Sequence, residues 1–72
     1  MNAMRFPVLS SKLKSVGYDG LTGVLEIEFL SGGIYEYHAV PREIFSGLMG
    51  AGSKGRYFHA KVMDRYRCVK VG

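Results

Sequence analysis

The 72-residue chain has no tryptophan, one cysteine and two prolines, and sets only six acidic side chains against ten lysines and arginines. The single cysteine, Cys68, closes no internal disulfide and makes no structural zinc site by itself. That usage suits a reducing, cytoplasmic location, and a reduced thiol without a role is the expectation for Cys68. The longest stretch free of charge runs from Ile44 to Ser53, far below the ~18–20 residues that a membrane span needs. Met1–Pro7 lacks the apolar core of a signal peptide, and Met4 offers a second start. No Walker loop, dinucleotide fingerprint or zinc-ligand spacing is present, so no cofactor or metal is expected.

What is present suits one small domain. A chain of this length buries only about 60% of the surface it exposes when unfolded, and its stability margin is on the order of 3–5 kcal/mol. Walls enclosing a large enzyme cleft would consume most of such a core. The net charge of +4 is unevenly placed. Residues 1–52 carry four cations and five carboxylates, whereas residues 53–72 carry six cations and one carboxylate. A basic end of this kind suits an anionic partner such as nucleic acid. The plainer reading is a solvated helix face and a frayed tail.

Residues 1–9 read as an N-terminal tail, with Pro7 interrupting any regular element. A first strand follows, roughly Lys12 to Tyr18, and Asp19–Gly23 supplies a five-residue turn. Val24-Leu25-Glu26-Ile27-Glu28-Phe29 alternates, placing Leu25, Ile27 and Phe29 on one face and both glutamates on a face expected to meet solvent. A third strand, Ile34 to Val40, is rich in β-formers. A three-residue loop, Ser31–Gly33, pairs Phe29 with Tyr35, Ile27 with Tyr37 and Leu25 with Ala39, and builds one coherent apolar face. It also sets Glu28 against Glu36, a repulsion that Lys14 would relieve. A two-residue loop would instead move every side chain across the sheet.

Pro41 suits a first helical turn, and Ile44, Phe45 and Leu48 recur at helical spacing before Gly50 and Gly52. Ser53 is a good N-cap for a second helix, whose apolar stripe is Phe58, Val62 and Tyr66. Lys54, Lys61 and Arg65 border that stripe. The expected fold is α+β: a three-stranded antiparallel meander followed by two helices packed on the sheet, β-β-β-α-α. One domain spans residues 10–66, and residues 67–72 form a basic C-terminal tail.

Two features carry chemistry. The first is Ser53-Lys54-Gly55-Arg56-Tyr57-Phe58. A helix start presents unpaired amides and partial positive charge, Lys54 and Arg56 add full charges, and Gly55 removes bulk, which together make a phosphate seat. Glycine costs a helix about 1 kcal/mol against alanine, so something approaches closely, either a ligand or the sheet. Ordinary capping is the simpler account. The second feature is the tyrosines. Tyr35 and Tyr37 on the third strand, and Tyr57 on the second helix, either pack in the core or stack bases beside neighbouring cations. His38, His59 and the carboxylates of Glu26, Glu28 and Glu36 show no spacing that predicts a catalytic triad.

Taken in order, Ser10-Ser11, Val16-Gly17-Tyr18-Asp19, Leu25–Phe29, Gly32-Gly33-Ile34-Tyr35-Glu36-Tyr37, Val40-Pro41 and Ser53–Phe58 resemble the KTSC domain. That family takes its name from the C-terminus of some lysyl-tRNA synthetases and also occurs as small stand-alone bacterial proteins. The resemblance runs from about Ser10 to Tyr66, with Tyr35 and Tyr37 matching its Tyr-x-Tyr motif. It departs at Asp19-Gly20-Leu21, where a proline-containing turn is expected, and at His59, where asparagine is common. It implies RNA binding by analogy with the synthetase. The expected function is a non-enzymatic module that binds RNA or another polyanion. Its contacts would be Ser53, Lys54, Gly55, Arg56, Tyr57, Lys61 and Arg65, with Tyr35 and Tyr37 stacking bases. The alternatives are a protein–protein adaptor, docking through the open sheet face or an edge strand, and, behind it, a small nucleotide- or metal-dependent enzyme.

Overall fold

A computed structural model of the chain describes residues 4–72. It is α+β, with a five-stranded antiparallel sheet in the order β1-β2-β3-β4-β5 and two helices on one face. The strands are β1 (Arg5–Pro7), β2 (Leu13–Asp19), β3 (Val24–Phe29), β4 (Ile34–Tyr37) and β5 (Cys68–Lys70). Helices α1 (Arg42–Gly50) and α2 (Lys54–Lys61) lie between β4 and β5 in the chain. The expected three-strand meander is therefore the centre of a wider sheet, and both presumed tails hold edge strands. Arg5–Pro7 pairs with β2 and Cys68–Lys70 with β4, satisfying backbone groups that those strands would otherwise expose. Pro7 is tolerated because it stands on an edge.

The β3–β4 register differs from expectation by two residues. Ile27 opposes Tyr35 and Leu25 opposes Tyr37, with the three-residue loop at Leu30–Gly32. Gly32 and Gly33 both adopt left-handed backbone, φ 105° and 93°, which moves the turn one residue earlier. A shift of two preserves the faces, so Leu25, Ile27, Phe29, Tyr35 and Tyr37 still point together. The like-charge pair becomes Glu26 with Glu36, while Glu28 faces Ile34. On the other side, Asp19 opposes Val24, which shortens the first turn to four residues. A bulge between Leu13 and Ser15 then brings the Lys14 ammonium 4.0 Å from Glu28. The third strand stops at Tyr37 because Ala39 takes a left-handed conformation, φ 58°.

The core lies between sheet and helices: Leu13, Val16, Leu25, Ile27, Tyr37, Val40, Leu48, Phe58 and Val62. Phe58 sits edge-on to both Phe29 and Tyr37, at centroid separations of 5.3 and 5.4 Å. Tyr18 stacks on Phe45 at 4.8 Å and donates its hydroxyl to the Val40 carbonyl at 2.5 Å, fastening α1 to the sheet. Helix α2 ends at Lys61, earlier than its stripe suggests. Asp64 turns the chain at φ 60° and Arg65 donates to the Ala60 carbonyl at 2.8 Å. Phe58 and Val62 are nonetheless buried and Tyr66 packs against the core.

Burial, followed by the adjoining Cys68 thiol, pushes the Tyr37 hydroxyl well above its ordinary range. Its folded state thus holds the proton more tightly than the unfolded state does. That contribution is complete below about pH 10 and is lost as the pH rises beyond it. Alkaline unfolding followed by circular dichroism should therefore begin at higher pH in Tyr37→Phe than in the parent, relative to each protein's neutral stability.

The outer sheet face is not the solvated surface that alternation implies. Glu26 is 0% exposed. Gly17, beside it on β2, has no side chain, and a Cβ there would lie 3.1 Å from the Arg5 side chain and 2.6 Å from the Met4 carbonyl. Through this gap the Arg5 guanidinium reaches across and ion-pairs with Glu26. Arg5 also donates to Ser15 at 3.2 Å, and Ser15 donates to Glu28 at 2.8 Å.

Candidate functional site

The first turn of α2 opens onto a cavity of about 400 Å³, lined by Ser11, Lys12, Ser53, Gly55, Arg56 and His59. Local sequence explains its shape. Ser53 is extended, φ −121° and ψ 101°, and its hydroxyl accepts the Arg56 amide at 3.4 Å. Helix geometry leaves the amides of Lys54 and Gly55 without intrahelical acceptors. The opposite wall is the segment leading into β2. There the Ser10 hydroxyl accepts the amides of Lys12 and Leu13, each at 3.1 Å, and holds Ser11 and Lys12 against α2.

Gly55 faces that wall. A Cβ at this position would lie 3.4 Å from the Lys12 Cβ and 3.9 Å from the Ser10 hydroxyl. These are ordinary van der Waals separations, so the approach of the segment before β2 does not by itself demand glycine here, and a cavity lies beside it. Lys12 and Arg56 supply the full charges on the lining, and no carboxylate belongs to it. The ion pairs among the described residues involve Arg5, Lys14 and His38 with Glu26, Glu28 and Glu36, away from this lining.

Ser53, Gly55 and Arg56 come together as the sequence suggests. Lys54 does not join them, because its ammonium turns back to donate to the Ala51 carbonyl at 3.2 Å, at the end of α1. Lys61 and Arg65 are exposed but lie off the cavity. Arg65 is past the end of α2 and bonds the Ala60 carbonyl, so the expected cationic border does not extend along one helix. Tyr57 packs onto α1, its hydroxyl occupying the space that a side chain at Gly47 would need. Tyr37 is 6% exposed and held edge-on by Phe58, which removes it as a base-stacking surface. Tyr35 is half-buried and edge-on to Phe29 at 5.5 Å. The tyrosines serve the interface between sheet and helices because the two-residue register shift keeps them on the inner face.

Three lining residues are not among the binding contacts expected from the sequence: Ser11, Lys12 and His59. The signal for the first two was indirect. Gly55 suggested a close neighbour, and Ser10-Ser11 belongs to the same family pattern, but nothing local joins positions 11 and 55. His59 lies on the cavity as an exposed imidazole, one turn after Gly55. His38 instead stands 3.4 Å from Glu36 on the outer face. Among the described residues, no group of three or more His, Cys, Asp or Glu side chains converges as a metal site, and no helix is long and apolar enough to cross a membrane.

The model of the KTSC domain matches residues 9–66. A crystal structure of a KTSC domain protein from Yersinia pestis superposes with a TM-score of 0.95 at 39% identity, over 99% of this chain and 100% of that one. An uncharacterised protein of Stutzerimonas stutzeri is 47% identical over 55 residues, which is 76% of this chain and 78% of that one. A lysine–tRNA ligase of Nostoc sp. is 38% identical over 69 residues, covering 92% of this chain but 12% of the ligase. Continuous similarity through both helices and the central strands, on a backbone that superposes from end to end, places this chain in the KTSC domain family.

Proposed function

We propose that the domain is a non-enzymatic RNA-binding module that grips phosphate at the cavity between the start of α2 and the approach to β2. The observation that carries this reading is the cavity's lining: two hydroxyls, two cations and an imidazole around a helix start, with no carboxylate. These groups donate hydrogen bonds and carry positive charge, which is what a phosphate oxygen requires. Kinship with a segment of lysine–tRNA ligase supports RNA over other polyanions. Phosphate contacts position a chain without reading its bases, and base-sequence specificity is no part of this reading. Arg67 and Lys70, exposed at the β5 edge, and Lys61 add longer-range attraction.

A mixed-sequence single-stranded RNA, titrated at low salt, should shift the amide resonances of Ser11, Lys12 and Ser53–Arg56. Affinity should fall steeply as salt rises, with a slope of roughly 0.7 per phosphate neutralised. The Lys12→Ala/Arg56→Ala variant should keep its fold, since both side chains are on the surface, and lose about tenfold or more in affinity. Unmoved resonances at these six positions would reject the site, and binding insensitive to salt would reject the mechanism.

A further inference from the structure

We infer that the free edge of β5 is a docking site for an extended segment of a partner protein, one that alternates acidic and apolar side chains and adds a sixth strand to the sheet. None of the residues of this edge lines the α2 cavity.

β5 stands last in the sheet and pairs only with β4. Its hydrogen bonds show which backbone groups remain. The His38 amide donates to the Arg67 carbonyl at 2.9 Å, and the Val71 amide to the Ile34 carbonyl at 2.8 Å. Glu36 opposes Val69 midway between them. Residues 67, 69 and 71 therefore bond inward, and the alternation of an antiparallel ladder turns the amides and carbonyls of Cys68 and Lys70 outward. A second peptide backbone satisfies both kinds of group, whereas a polyanion meets the outward carbonyls with like charge.

The opposite border is not equivalent. The Val8 amide donates to the Lys14 carbonyl at 3.2 Å, so the outward positions of β1 are Arg5 and Pro7. Pro7 has no N–H to offer, and the Arg5 side chain is held by Glu26. One edge is blunted and the other is open.

The side chains of β5 specify the occupant. Residues 67–72 are all exposed, although Cys68–Lys70 is paired with β4. Val69 lies on the outer face beside Glu36, and alternation puts Arg67 and Val71 on that face with it. Val69 and Val71 are 38% and 44% exposed. Lys70 projects on the helix side, opposite Tyr35. Among the described residues, Arg67 and Lys70 take part in no ion pair, and residues 65–72 contain no acid. Cross-strand neighbours share a face. An antiparallel peptide thus sets an apolar residue beside Val71, an acid beside Lys70, an apolar residue beside Val69 and a second acid beside Arg67. A second copy of β5 is the poorer complement, because it brings more lysine and arginine to this edge and no carboxylate.

The probe is an acetylated, amidated peptide, Ser-Val-Glu-Val-Thr-Glu-Ser, titrated into the full chain; its control carries lysine in place of both glutamates. The acidic peptide should shift the amides of residues 67–71 and slow hydrogen exchange at Cys68 and Lys70, leaving Ser53–Arg56 unmoved. The control should bind about tenfold more weakly. Lys70→Glu should narrow or reverse that order. Lys70→Pro removes an outward N–H and no bond to β4, so it should keep the parent's circular-dichroism spectrum and lose binding. Equal binding of the two peptides to the parent, or undiminished binding by Lys70→Pro, would overturn the inference. So would shifts without protection of the Cys68 and Lys70 amides, or no shift at all. Self-association of the free chain that protects these two amides would identify a second copy as the occupant and overturn the peptide assignment. None of these outcomes alters the RNA titration at Ser11, Lys12 and Ser53–Arg56, so the two readings fail separately.

Discussion

Arg5→Met should leave about half of the domain population unfolded at 25 °C. The guanidinium is the ion-pair partner of Glu26, whose side chain is fully buried on the outer face of the sheet. Removing one member of a buried pair strands the other charge, at a cost of roughly 3–5 kcal/mol. That equals the whole stability on the order of 3–5 kcal/mol available to a domain of this size. The same substitution loosens β1, because Arg5 also donates to Ser15. Urea unfolding monitored by circular dichroism gives the measurement. The double variant Arg5→Met/Glu26→Met tests the cause, since replacing both charges by apolar groups removes the stranded carboxylate and should restore most of the loss. A single variant within about 1 kcal/mol of the parent would mean that Glu26 finds solvent or another partner once Arg5 has gone.

Phe58→Ala should be comparably damaging for a different reason. Phe58 is 2% exposed and stands where α2 meets the sheet, edge-on to Phe29 and Tyr37. Truncating a buried phenylalanine costs about 3–5 kcal/mol through lost transfer energy and the cavity left behind. Neighbouring rings cannot easily close that space, because Tyr37 is fixed in β4 opposite Leu25. Phe58→Leu should retain much of the volume and lose less, about 1–2 kcal/mol. The contrast between the two variants in denaturation midpoint measures the packing contribution. If alanine and leucine behaved alike, the aromatic cluster would not be the anchor of α2. Because α2 also forms one wall of the candidate site, a destabilised Phe58 variant should lose RNA binding in step with its folded fraction, whereas Lys12→Ala/Arg56→Ala should lose binding while folded.

The parts legible in the sequence were those with local periodicity or local chemistry. Alternation from Val24 to Phe29 marks β3 and its inner face. Ser53 marks the start of α2, and the stripe of Phe58 and Val62 marks its buried side. The missing strands had no such mark. β1 and β5 are three residues each, too short for alternation to show, and they lie outside the span where the family pattern is recognisable. Their formation depends on the unpaired edges of β2 and β4, which are properties of the assembled sheet. Glu26 misled for the same reason. Its position on a strand predicts the outer face correctly, but its burial depends on Arg5 arriving from twenty-one residues away through the gap at Gly17. At the candidate site, positions 53, 55 and 56 were readable because a helix cap is local. Lys12 was not, because its proximity to Gly55 is a tertiary contact. Lys54 and Arg65 lie off the cavity, because helical spacing says where a side chain projects and not which carbonyl it finds.

The sheet order has a mechanical consequence. With five strands all antiparallel to their neighbours, β1 and β5 run in the same direction at opposite borders. The chain therefore enters at one corner of the sheet and leaves at the corner diagonally across it, four strand spacings or roughly 19 Å apart in width alone. Many domains bring their ends together and tolerate being cut and rejoined as a ring, but this layout resists it, and any circularising tether would have to cross a face. It is suited instead to being threaded in series, so that tension along a longer polypeptide would peel the outermost strands first and leave the helix-covered centre to yield last.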